Sequence, residues 1–327
     1  MMLPSILDRF TLNGLNGNHA CYVTAPVSAS LSDLKDGSWI RLFQPDVARS
    51  LAAQLMLALD YVHAQGIVHG DMYLGNILLK VPLNFDQLSP ERLHEKYGAP
   101  ELEPVSRLNG KPLPPGVPTH GVPPIWLGKA SEEIVLLETR ILLADFGEAF
   151  ILFILSKERK FESCTPLVIR PPEARFEPNE PLSFSSDIWT LTCTIWTIIG
   201  QRQLLEGFLA TEDDMTCEHV CQDTLSILPL DWWEKWDALR QKFDGDGEPR
   251  NRKSFRSWDD RFEDSVQQPR QDSGISPFNE KEEALFNVLR LMLSFRPANR
   301  PTTNQILKSE WMVKLALPEY RKSQNNI

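Results

Sequence analysis

Four short polar signals stand in one order along this chain, and any fold it adopts must reconcile them. His69-Gly70-Asp71, with Asn76 five residues beyond the aspartate, lies between the apolar runs Ile67-Val68 and Ile77-Leu78-Leu79. Asp145-Phe146-Gly147 directly follows Ile141-Leu142-Leu143, and Pro171-Pro172-Glu173 comes after it. Asp187-Ile188-Trp189 opens an almost uninterrupted apolar stretch reaching Ile199, and Arg300-Pro301-Thr302 stands near the end. Short apolar runs bounded by polar loops read as buried strands, and a long stretch apolar on every side reads as a buried helix. Polar loops at strand ends around such a helix are where chemistry is carried.

Phosphoryl transfer explains why these residue types belong together. An aspartate in a strand-flanked loop can accept the proton of an attacking hydroxyl, an asparagine five residues on can reach a metal ion, and a second aspartate can hold phosphates through that metal. Mg²⁺ takes few protein ligands and keeps phosphate or water oxygens, which one Asp and one Asn satisfy. Each motif alone is common by chance; their joint order, each in its strand or loop context, is specific.

The rest of the chain is organised around them. Phe10 to Leu12 and Ala20 to Val23 read as strands of a hairpin whose turn holds Gly14 and Gly17. Val47, Leu51, Leu55, Leu59 and Val62 recur at helical spacing from Asp46, with Gly66 as the stop. Residues 81–138 are proline-crowded and weakly periodic, a loop-rich insertion, and 244–274 are a charged excursion. Trp232, Trp233 and Trp236 suit a helix docking an aromatic face, and Asn279 with Glu282 and Thr302 with Gln305 are capping boxes. Composition narrows the class: 34 basic against 44 acidic residues give a net charge of −10, which argues against a protein that binds nucleic acid by neutralising phosphates. No apolar run reaches the roughly 20 residues of a membrane span. No signal peptide is visible, and five cysteines are an odd number. The expectation is a soluble intracellular protein, cytoplasmic or nuclear, with no direct nucleic-acid or membrane partner. Arg250, Arg252, Lys253 and Arg256 are a thin nuclear address signal.

Over about residues 10 to 315 the chain resembles the eukaryotic protein kinases, and more finely the SR-protein kinases, especially their compact fungal relatives. The finer likeness rests on Leu7-Asp8-Arg9-Phe10, on Asp145-Phe146-Gly147-Glu148-Ala149-Phe150, on Trp232-Trp233-Glu234-Lys235-Trp236 and on the ending Ser309-Glu310-Trp311 with Leu317-Pro318-Glu319-Tyr320. The resemblance implies an α+β protein-kinase fold, with a mainly helical large lobe at 31–327 and a remnant small-lobe hairpin and hinge at 1–30. It implies ATP and Mg²⁺, with Asp71 as catalytic base beside Asn76, and Asn76 and Asp145 as Mg²⁺ ligands. Thr24, Ala25 and Val27 would form the adenine hinge together with the Asp145 cofactor site. His69, Glu173, Asp187 and Arg300 would be structural supports, Glu173 pairing with Arg300 and Asp187 bracing the catalytic loop. Protein substrates follow, with Arg/Ser-rich ones as the family preference, for which the acidic run Glu212-Asp213-Asp214 offers a docking surface or else a solvated helix end.

The departures from that family set the rival readings. The family needs a Gly-rich loop, a strand lysine and a helix glutamate; before His69 the only lysine is Lys35, and no glutamate occurs from Met1 to Val68. The expectation is a chain that begins inside the small lobe. Tyr73 stands where a phosphate-facing lysine is usual and Gly70 where an arginine is, and a neutral donor suits phosphate less than an ammonium. The alternative to a serine/threonine protein kinase is thus a catalytically impaired lobe that acts by binding protein. A small-molecule phosphotransferase shares the loop wording but lacks the Pro-Pro-Glu element. Ile151 to Leu155 is unusually apolar for its position, and Cys217, His219 and Cys221 invite a metal check that lacks a fourth ligand.

Overall fold

The computed structural model describes residues 2–14, 17–82, 84–152, 160–206, 211–220, 228–243, 250, 257–278 and 283–324. The chain opens with two antiparallel strands, β1 (Ile6–Gly14) and β2 (Gly17–Thr24), longer than the apolar patches suggested. Gly14 faces Gly17 across the turn, and Gly17 sits at φ +110°, a conformation costly for other residues. Among the described residues no other strand pairs with this ribbon, and nearly every residue in it is exposed.

The chain then enters a larger unit. Strand β3 (Val27–Ser30) pairs with β5 (Ile77–Lys80), which pairs with β8 (Ile141–Leu143), and these three form one antiparallel sheet. Ala29 and Ser30 are buried, so residues 27–30 belong to the large unit's sheet. Residues 27–30 thus extend the sheet that holds β5 and β8. Ser30 also caps α1 (Leu31–Asp36) through a reciprocal pair of bonds with Asp33.

Helix α2 (Pro45–Ala64) starts on a proline, whose missing N–H costs nothing in a first turn, and is about 30 Å long. Gly66 at φ +76° follows its end and leads into β4 (Ile67–Val68). The insertion holds α3 (Pro90–Tyr97) and the short ladder of β6 (Glu103–Pro104) with β7 (His120–Gly121). Strand β9 (Phe150–Ile151) pairs with β4. After α4 (Glu173–Phe176) comes α5 (Phe184–Ile199), almost wholly buried as its composition predicts.

Beyond it lie α6 (Glu212–Val220), α7 (Leu230–Glu234) and α8 (Leu239–Lys242). Helices α9 (Trp258–Phe262) and α10 (Gln268–Asp272) are joined by a π-turn, and α11 (Glu283–Met292), α12 (Thr303–Leu307) and α13 (Leu317–Gln324) complete the unit.

Leu51, Leu55 and Leu59 of α2 meet Trp189, Ile195 and Trp196 of α5 and Leu285, Leu289 and Met292 of α11 in one continuous core. A second cluster gathers Phe176, Trp232, Trp236, Phe243 and Phe295. The three-tryptophan stretch therefore does dock aromatically, though α7 ends at Glu234 and Trp236 lies beyond it. The Thr302–Gln305 capping box is present at α12. Asn279 and Glu282, Phe153 to Leu155, Cys221, Arg252, Lys253 and Arg256 lie outside the described residues. Among the described residues, no helix is long and apolar enough to cross a membrane.

Candidate active site

The loop from His69 to Asn76 is held from below by a single carboxylate. Asp187, 1% exposed at the start of α5, accepts the backbone N–H of His69 (2.8 Å) and of Gly70 (2.9 Å). Its Oδ2 also lies 2.9 Å from Nε2 of His63, on the last turn of α2. Buried carboxylates need such partners to offset lost hydration. The ring of His69 is fixed as well: Asp71 N–H donates to its Nδ1 (3.3 Å), which leaves Nε2 to donate to the carbonyl of Ala144 (3.0 Å). Phe146 stands edge-on to that ring at 4.8 Å, so the two loops touch.

Asn76 donates from Nδ2 to the carbonyl of Asp71 (2.8 Å) and to its Oδ2 (3.2 Å). Asp71 Oδ1 is buried and accepts no hydrogen bond among the described residues. Burial raises the Asp71 pKa above the usual carboxylate value; Asn76 and His69 oppose the rise, while Asp145 and Glu148 add to it. A carboxylate with one oxygen anchored, one vacant and a raised affinity for protons is arranged to receive one. Asp145 is exposed and takes up the left-handed conformation, φ 59° and ψ 69°, with its Oδ1 accepting from Gly147 N–H at 3.3 Å. A non-glycine residue held there stores roughly 1–3 kcal/mol of strain.

Glu173 and Arg300 form a two-pronged buried ion pair, both contacts 2.7 Å. Arg300 also donates to the carbonyls of Ser185 (2.8 Å), Ser294 (2.8 Å) and Phe295 (3.1 Å), and Ser186 Oγ donates to Glu173 (3.1 Å). The guanidinium is thus fully engaged, which is what a buried cation requires.

The oxygen set near Asp71 suits a hard cation. Asn76 Oδ1 accepts no hydrogen bond among the described residues, and Asp145 presents an accessible carboxylate, the ligand chemistry Mg²⁺ takes. The adenine side fits less fully. Thr24, Ala25 and Pro26 line a hollow of about 290 Å³ with Leu3, Pro4, Ser5 and Leu142, near the lower end of ligand-pocket sizes. Val27 is outside that lining and instead pairs with Lys80 in the sheet. The backbone of Met2 accepts the N–H of Leu143 (2.9 Å), so the first residues lie along β8. Lys35 is not a phosphate lysine: it is buried on α1 and donates to the carbonyls of Thr197 and Gly200 (2.6 Å to the latter) at the end of α5. Burial, then Arg41 and Arg270, pull its pKa down to about 7.

Two further features escaped the sequence reading. The ring of Tyr73 lies over Gly75, where a Cβ would meet it at 2.4 Å. Gly70 is at φ +78°, and a Cβ there would stand 3.0 Å from the carbonyl of Glu148. The acidic run, in turn, is engaged within the chain. Asp213 pairs with Arg175 and accepts from Trp236 Nε1 (2.9 Å), Asp214 pairs with Lys242, and Glu212 approaches Arg170 at 3.5 Å. This favours the helix-end account of that run. His219 is buried with neither ring nitrogen hydrogen-bonded, against Trp189 at 5.3 Å, and no group of three or more His, Cys, Asp or Glu side chains gathers for a metal among the described residues.

No protein-family model matches the chain. It is 22% identical over 322 residues to a serine/threonine protein kinase of Aspergillus fumigatus, covering 95% of this chain and 69% of that one. A 94-residue stretch, 28% of this chain and 14% of its relative, is 34% identical to the probable serine/threonine-protein kinase sky1 of Dictyostelium discoideum. A 76-residue stretch, 23% of this chain and 14% of the relative, is 36% identical to the protein kinase dsk1 of Schizosaccharomyces pombe. A crystallised kinase domain superposes with a TM-score of 0.56 at 18% identity, over 95% of this chain and 77% of that domain. The fold is the α+β protein-kinase fold, and the chain resembles serine/threonine protein kinases.

Proposed function

We propose that this chain transfers the γ-phosphoryl group of ATP to serine or threonine of a protein, with Asp71 as the base. The observation that carries the reading is the vacant, buried Oδ1 of Asp71, whose carboxyl burial holds above the usual pKa. The hydroxyl oxygen bonds to phosphorus, the bond to ADP breaks, and Asp71 Oδ1 receives the hydroxyl proton. Asn76 and Asp145 would hold Mg²⁺, which when bound neutralises phosphate charge. His69 and Asp187 act as positioning residues, since their bonds set the loop backbone on which Asp71 rides. Thr24 and Ala25 are read as the adenine hinge, with Val27 a sheet residue. The ribbon up to Pro26 is read as the small lobe and the remainder as the large lobe. The likeness to sky1 and dsk1 extends the reading to Arg/Ser-rich substrates.

A second reading is favoured by Lys35 and Tyr73. The one lysine before the loop is spent on a helix end, and the loop carries a tyrosine ring in place of an ammonium. A chain so equipped would bind protein and transfer phosphate poorly or not at all.

Thermal unfolding with Mg²⁺ and with Mg²⁺-ATP separates the two. A ligand binding only the folded state at 100 times its Kd adds about 2.7 kcal/mol of stability. The kinase reading expects that shift, its loss in Asp145→Asn, and phosphate incorporation into an Arg/Ser peptide that Asp71→Asn abolishes. No shift up to saturating ATP would overturn it and leave the binding-lobe reading.

A further inference from the structure

The insertion between β5 and β8 folds back against the large unit and forms a cavity that lies apart from Asp71, Asn76 and Asp145. Its volume is about 520 Å³, well inside the range of roughly 300–1,000 Å³ for small-molecule sites. One wall is the β3–β5 side of the sheet, with Ser28 and Leu79; the other is the insertion, with Tyr97, Trp126, Ile134 and Leu137. Trp126 is seated closely: a Cβ on Gly37 would meet its ring at 2.9 Å and one on Gly128 at 2.5 Å. The ring thus occupies space that two glycines leave open, and it stands as a built wall of the cavity. Asp71, Asn76 and Asp145 take no part in the lining.

The charge of this lining is one-sided. Among the described residues of the lining, Lys80, Lys96, Lys129 and Arg140 face it with the carboxylate of Glu138, while Asp86 lies with Lys80 and Arg140 on the adjoining hollow. Glu138 is already engaged by Lys129 at 2.7 Å and by the N–H of Val135 at 3.0 Å. Lys96 lies 5.0 Å over the ring of Tyr97, which has no charge to offer it. Lys80 and Arg140 sit side by side on neighbouring strand ends, where burial, and then Arg140, lower the Lys80 pKa. Ammonium and guanidinium donors match phosphate oxygens, and the aromatic wall matches a flat apolar body.

We propose that the cavity between the insertion and the β3–β5 strands binds a small aromatic phosphate monoester, its phosphate among Lys80, Lys96 and Arg140 and its ring against Trp126 and Tyr97. The cavity adjoins the hollow beside Thr24 to Pro26, with which it shares Lys80, Val81, Pro82 and Arg140, and its lining holds none of Asp71, Asn76 and Asp145; the proposal does not depend on the phosphoryl-transfer reading.

The test is calorimetric titration of the full chain with phenyl phosphate, beside inorganic phosphate and phenol as single-feature probes. Saturable binding of phenyl phosphate, at least about tenfold tighter than either fragment, is expected. Lys96→Glu, at an exposed position where the substitution leaves the fold intact, weakens it by about tenfold or more, and Arg140→Gln does likewise. Asp145→Asn leaves it unchanged. Inorganic phosphate binding as tightly as phenyl phosphate would overturn the aromatic part, and phenol binding as tightly would overturn the anionic part. Loss of binding in Asp145→Asn would place the probe at the catalytic centre and overturn the proposal, as would the absence of saturable binding.

Discussion

The ribbon of β1 and β2 and the unit built on α2 and α5 are both held by backbone ladders or helices, yet only one of them buries side chains. In the ribbon Leu7, Leu12 and Tyr22 are 65%, 56% and 69% exposed, whereas Leu51, Leu59, Trp189 and Trp196 are fully enclosed. A ladder of hydrogen bonds exchanges water partners for protein partners at small net gain, while apolar burial gives roughly 25 cal/mol per Å². A two-stranded hairpin without a covering layer is marginal by itself. The difference teaches that stability in this molecule resides in the helical unit, and with it the scaffold of the Asp71 loop.

The hardest blow to that asymmetry falls on Arg300. Arg300→Gln leaves Glu173 buried without its cation, and breaking a buried pair from one side costs about 3–5 kcal/mol. Urea unfolding followed by tryptophan fluorescence should show that loss in one transition; a change below about 1 kcal/mol would mean the pair is peripheral to the unit. A subtler probe is His219, which burial, then Arg175 and Arg300, hold at a pKa of about 3 against 6.5 for the free side chain. Between those values the unfolded chain binds a proton that the native state refuses, so stability falls as the pH drops from 6.5 toward 3. His219→Leu removes that contribution, and its stability should decline less steeply over the same window in parallel denaturation curves. The smallest effect belongs to the ribbon. Phe10→Ser should alter global stability by no more than about 0.5 kcal/mol, and ribbon amides should exchange with solvent long before those of α2 and α5. Equal protection in both regions would erase the contrast.

The parts legible in the sequence are those written in strong periodicity or in motif order. Helix α2 announced itself through Val47, Leu51, Leu55, Leu59 and Val62, and α5 through unbroken apolarity, because both pay their ordering entropy with burial. The pairing of Glu173 with Arg300, far apart in the chain, was implied by the resemblance to the protein kinases and by no periodicity. Helix α3 was missed since it buries no residue and so shows no apolar stripe; its signals were local, Ser89 capping with Pro90 behind it and Gly98 at φ +93° after it. The fate of Lys35 was beyond reach, because nothing local says that the carbonyls of Thr197 and Gly200 will end opposite it. His63 was overlooked for the same reason: its carboxylate partner comes from a different helix.

Tyr73 and Gly75 carry a consequence for how this loop can change over time. The space the tyrosine ring fills is the space a side chain at 75 would need, so the two positions are not independent. Any larger residue at 75 is barred while the ring stays, and replacing Tyr73 by a slender lysine would lift the bar. The order of substitutions then matters: a side chain at 75 needs the Tyr73 ring to swing away or to be replaced. A lineage that has accepted this pair holds a short-range epistatic coupling between positions 73 and 75, in which a first step at 73 is open and a first step at 75 meets the tyrosine ring.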